Sequence, residues 1–80
     1  NPQNYNSKSA LQEWSQSQNL NLPQYKTEEI NKQHGNKNRF FCELWLNEKL
    51  AGHGWGGSRK EAEQNAALNK LQNLSNENLL

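Results

Sequence analysis

The sequence predicts an α+β domain of order α-β-β-β-α, with a three-stranded antiparallel sheet and two helices packed on one of its faces. Three observations predict it. Apolar residues recur at helical spacing near both ends of the chain, strict alternation marks RFFCELWL in the middle, and proline or glycine separates the segments. Placing both helices on one sheet face is the economical way to bury two amphipathic stripes and one strand face in 80 residues.

Residues 1–5 contain a proline and no apolar period, and are expected to form a linker. From Asn6 or Ser7, either of which can cap, to about Ser17, Ala10, Leu11 and Trp14 share one helical face. Ser9, Gln12, Glu13 and Gln16 fall at i, i+3, i+4 and i+7 on the other. A strip of this kind is commonly plain solvated surface, yet it also has the chemistry that meets ribose hydroxyls and base edges in a shallow groove. Pro23 cannot continue a helix and pushes its predecessor to extended torsions, so a first strand is expected from Tyr25 to about Ile30. Residues 31–38, NKQHGNKN, form a loop about a central glycine.

In RFFCELWL, Phe40, Cys42, Leu44 and Leu46 point one way and Phe41, Glu43 and Trp45 the other. Asn47 to Lys49 makes a tight turn, and Leu50 to about Trp55 returns as a third strand. A second helix follows from Arg59 to about Leu74. Ala62, Ala66, Ala67, Lys70, Leu71 and Leu74 cover one broad side of it, and Glu61, Gln64, Leu68 and Gln72 the opposite side. The small alanines would let this helix lie close on the sheet. Residues 75–80 are expected to be a flexible tail, leaving one domain over residues 6–74.

The stretch with the most chemistry is GWGGSRKEAEQNAA, residues 54–67. Ser58 can cap the second helix, and Glu61 three residues on completes a capping box. Arg59 and Lys60 add charge to a helix start that already carries unpaired N–H groups, which makes a place for phosphate. Gly54, Gly56 and Gly57 let the backbone come close and adopt torsions closed to other residues. The competing reading is an ordinary helix entry with two solvated cations.

Composition narrows the function classes. A net charge of +1 argues against coating a polyanion by bulk attraction, so any such site must be local. The single Cys42 excludes an internal disulfide, and no apolar run has the length of a membrane span or the form of a signal peptide. A reducing, cytoplasmic setting fits best. Asn and Gln number 22 but are spread along the chain, so they do not read as a low-complexity tract. The polar, Asn-rich ends read as those of a module within a longer protein.

Rival chemistries are present in outline. Cys42, His34 and His53 are metal-ligand types without paired spacing, and Ser58 with the histidines lacks anything to orient a nucleophile. No metal site and no catalytic residue are therefore expected here. Phe41 and Trp45 on the outward strand face have the chemistry to stack single-stranded bases, although no basic residue interleaves with them on that strand. Trp45 and Leu68 are alternatively marks of a protein contact.

In this order, SALQEW, LPQY, RFFCELWL and GHGWGGSRKEAEQNAA resemble the double-stranded RNA-binding domain family, most closely the C-terminal domain of bacterial ribonuclease III. The resemblance covers about residues 6–74. It implies that Ser9, Gln12, Glu13 and Gln16 enter a minor groove of A-form RNA, and that the loop around His34 and Asn36 reaches a second one. It also implies that Arg59, Lys60 and Gln64, with the capping Ser58, face phosphates across the intervening major groove. The implied partner is double-stranded RNA. The implied parent is a ribonuclease III-type endoribonuclease, a homodimer whose separate catalytic domain uses Mg2+; this domain needs no cofactor. A protein-interaction or dimerisation module of the same fold is the alternative. The loop lacks the family's proline, Gly57 and Glu63 stand where the family often has Lys, and Lys70 stands where it commonly has Ala. Fewer cations imply about two to four phosphate contacts and a salt slope of only a few units.

Overall fold

The computed structural model describes residues 6–79. It contains α1 (Ser7–Ser17), β1 (Gln24–Glu29), β2 (Phe40–Leu46), β3 (Lys49–Gly56) and α2 (Arg59–Asn76). The strands form one antiparallel sheet in the order β1-β2-β3, and α2 packs across β3 and β2 with α1 alongside it. The order and architecture are those expected. Residues 1–5, read as a linker, lie outside the described residues, as does Leu80.

Alternation sets which face is covered. Along β2 the residues Phe40, Cys42, Leu44 and Leu46 are buried, while Phe41, Glu43 and Trp45 are only partly so. The inward row meets Ala62, Ala66, Ala67, Leu71 and Leu74 of α2 and Leu11 of α1 in one core. Burial of Cys42 pushes its thiol above the usual range.

Of the two uses expected for Gly54, Gly56 and Gly57, close backbone approach holds at Gly54 and Gly56, and special torsions hold at none. Among the described residues the only glycine with positive φ is Gly35, so Gly54, Gly56 and Gly57 do not hold left-handed torsions. A Cβ at Gly54 would lie 2.4 Å from the Ala66 amide nitrogen, and one at Gly56 would lie 2.5 Å from that of Ala62. Those two glycines let the backbone of α2 rest directly on the strand. Gly57 does neither, since its nearest neighbour would be the Asn36 carbonyl oxygen at 3.6 Å.

Asparagines carry the left-handed positions instead. Asn47 and Glu48 have φ of 48° and 67°, the pattern of a two-residue hairpin turn, so Lys49 opens β3 rather than closing the turn. Both helices end in a Schellman motif. Leu20 donates its N–H to the Ser15 carbonyl around Asn19, and Leu79 donates to the Leu74 carbonyl around Asn78. Ser75 and Asn76, expected in a flexible tail, are therefore helical, and hydrogen bonds carry the order through Leu79.

The outer edge of β3 is closed by α2 itself. His53 donates its N–H to Asn69 Oδ1 at 3.1 Å, and Asn65 Nδ2 donates to the Trp55 carbonyl at 2.6 Å. Among the described residues, no helix is long and apolar enough to cross a membrane.

Candidate nucleic-acid interface

The first turn of α2 is organised by Ser58, whose hydroxyl accepts the Glu61 N–H at 3.1 Å. The Glu61 carboxylate accepts the N–H of Gly57 at 3.3 Å, so the expected capping box is displaced by one residue. Lys60 is exposed, and the ion pairs among the described residues, Lys8–Glu63 and Arg39–Glu29, leave its ammonium free. Arg59 is less free. Its Nη1 donates to the Thr27 carbonyl at 3.0 Å, and its guanidinium lies 5.1 Å from the centre of the Phe40 ring.

Ser9, Gln12, Glu13 and Gln16 are all exposed along α1. Ser9 and Gln12 line a groove with Lys60 and Gln64 of α2, so the polar strip and one of the cations share a surface. Gln64 is also structural. Its Nε2 donates to Asn6 Oδ1 at 3.0 Å, and its Oε1 accepts the Lys8 N–H at 3.2 Å, clipping α2 to the start of α1.

On the other flank of the same turn lies the β1–β2 loop. The Asn36 N–H returns to the Gln33 carbonyl across His34 and Gly35, with φ of 80° at Gly35, which makes a tight turn with His34 exposed at its tip. The Asn36 side chain accepts the Asn38 N–H at 2.8 Å and so shapes the loop. The loop, the start of α2 and the polar strip of α1 thus follow one another, with the cationic turn in the middle.

Comparison with known proteins bears on this arrangement. The profile of the double-stranded RNA binding motif matches residues 7–74. The chain belongs to that family. Ribonuclease 3 of Prochlorococcus marinus is 51% identical over 75 residues, covering 94% of this chain and 30% of that protein. A second such enzyme, Ribonuclease 3 2 of a Nostoc species, is 47% identical over 66 residues, covering 82% of this chain and 27% of that protein. This double-stranded RNA binding motif therefore spans less than a third of the length of these relatives. The first dsRBD of protein HYL1 superposes with a TM-score of 0.61 at 29% identity, covering 84% of this chain and 93% of that one.

Lys8 has no role in the sequence pattern, and Glu63 appears there only as a missing cation. Lys8 lines the groove, and its ammonium pairs with Glu63 Oε1 at 2.6 Å while standing 4.8 Å from the centre of the Tyr25 ring. Glu63 Oε2 accepts the Thr27 hydroxyl at 3.3 Å, so one carboxylate ties α1, α2 and β1 together. The i, i+3 pattern of the first helix carried no mark for Lys8, because its partner is 55 positions away. Burial, with the nearby Cys42 and Glu63, pushes Tyr25 up to about 12.

The rival constellations do not assemble. Cys42 is in the core, His34 is at the loop tip and His53 is on the outer sheet face, and no three metal-ligating residues come together among the described residues. Lys26, which crosses to Trp45 from β1, lies 4.9 Å from the centre of the indole. Phe41 packs on Trp55 at 5.0 Å between centroids, and His53 meets Trp55 edge-on at 5.2 Å. Phe41, His53 and Trp55 thus form one cluster with Trp55 still exposed, and Trp45 lies apart under Lys26.

Proposed function

We propose that this domain binds duplex RNA by shape, and that in its parent protein it delivers RNA to a ribonuclease III-type endonuclease. The observation that supports the reading is that Ser9 and Gln12 share a groove with Lys60, while Asn36 of the His34 loop lies beside Gly57 just before the same helix start. Ser9, Gln12, Glu13 and Gln16 offer hydrogen-bonding groups to 2′-hydroxyls in one minor groove, and His34 and Asn36 reach the next. Ser58, Arg59, Lys60 and Gln64 face the phosphates between them. Family membership and the ribonuclease relatives support this assignment; they do not favour a protein-interaction module in its place.

The parent's homodimeric state, its catalytic domain, that domain's use of Mg2+ and a cytoplasmic location belong to the same proposal. The metal would be held by residues outside this chain.

Joint substitution of Arg59 and Lys60 by Ala tests the phosphate role. We expect the slope of log affinity against log salt to fall by about one to two units, with the thermal melt lowered only modestly through loss of the Arg59 contacts to Thr27 and Phe40. An unchanged slope would remove these residues from the interface.

A further inference from the structure

Roughly 15 Å along α2 from Lys60, a shallow groove lies between the β2–β3 hairpin and the later turns of both helices. Apolar Trp14, Leu20, Leu46 and Leu50 line its floor and walls together with Asn47, Lys49 and Lys70. A bulge creates part of that floor. Leu44 pairs with Gly52 but Trp45 pairs with Leu50, leaving Ala51 as the extra residue. The consecutive Leu50 and Ala51, which regular pleating would send to opposite faces, both line the groove.

Leu50 is 54% exposed and stands beside two cations. Neither lysine is in an ion pair among the described residues, where the pairs are Lys8–Glu63 and Arg39–Glu29. Two free ammonium groups flanking apolar side chains complement carboxylates flanking an apolar residue. Duplex RNA would satisfy the two lysines but leave Trp14, Leu20, Leu46 and Leu50 facing ribose hydroxyls they cannot bond.

We propose that this groove docks a protein segment in which leucine-like side chains are interspersed with carboxylates. The site is small, so its complex is weak and transient, and its distance from Lys60 leaves the RNA surface open.

Fluorescence anisotropy of a short fluorescein-labelled peptide alternating leucine and glutamate, titrated with the 80-residue chain, tests this directly. Saturable binding is expected. It should weaken roughly tenfold when Lys49 and Lys70 are both changed to Ala, and comparably for Leu50→Ser, while duplex RNA affinity of Leu50→Ser is unchanged. Absence of saturable binding would overturn the proposal, as would equal binding of a peptide with lysine in place of glutamate. Loss of RNA affinity in Leu50→Ser would assign the groove to the RNA surface instead. Self-association abolished by that substitution would assign it to a second copy of the chain.

Discussion

A methyl group at Gly54 would approach the Ala66 amide nitrogen to 2.4 Å, inside any contact that packed atoms tolerate. Because the obstacle is helix backbone, α2 must move as a body, and Gly54→Ala should cost about 3 kcal/mol or more. Gly57→Ala meets only the Asn36 carbonyl, at 3.6 Å, and should be close to neutral. Thermal melts of the two variants check the pair; equal losses would contradict the packing role assigned to Gly54. In the sequence, a glycine-rich run before a capping serine implies close backbone approach without saying to what. Identifying helix backbone as the partner needs the crossing of two elements, which residue spacing does not encode.

Tyr25 supplies the pH signature. Its hydroxyl is buried with no hydrogen-bond partner among the described residues, and its pKa is pushed from 10.0 to about 12 chiefly by burial. A folded pKa above the unfolded one stabilises the fold fully below pH 10 and progressively less up to pH 12. Chemical denaturation across that window should show stability falling for the unaltered chain. Tyr25→Phe should remove the tyrosine's share of the fall, and an identical pH profile would count against the assignment.

Among the elements, β2 was the most legible, because a buried strand in a half-covered sheet must alternate, and Phe40, Cys42, Leu44 and Leu46 do so without exception. The helix ends were less legible. Asn19 and Asn78 act where glycine is the usual signal, so the end of α2 was expected near Leu74 whereas the helix reaches Asn76. In a chain with 22 Asn and Gln residues, no single asparagine stands out as punctuation. The same abundance hid Asn65 and Asn69, one helical turn apart, which satisfy backbone groups on the open edge of β3. Changing both to Ala should destabilise the domain by about 1–2 kcal/mol and promote self-association through the exposed edge. Denaturant titration and sedimentation velocity would show it, and a monomer of unchanged stability would contradict the edge-closing role.

For the molecule as a whole, the candidate interface was legible in composition but only partly in arrangement. Polar residues on α1 and cations at the start of α2 were visible as patterns, and the structure joins Ser9 and Gln12 to Lys60 in one groove. It also ties Arg59 to β1 and uses Gln64 as a clip between the helices, constraints that arise from partners 32 and 58 positions away. The Lys8–Glu63 pair was invisible for the same reason. It links the two helices at the groove and gives structural use to a carboxylate that had looked like a mere loss of positive charge.

Duplex geometry of the A form is what this surface is proposed to read. Titration of the domain with a duplex RNA of about 16 base pairs, the duplex DNA of the same length and the single-stranded RNA, all at one salt concentration, tests it most directly. A clear preference for the RNA duplex is expected, lost when Gln12 and Glu13 are both changed to Ala. Equal affinity for the two duplexes, or tighter binding of the single strand, would contradict it.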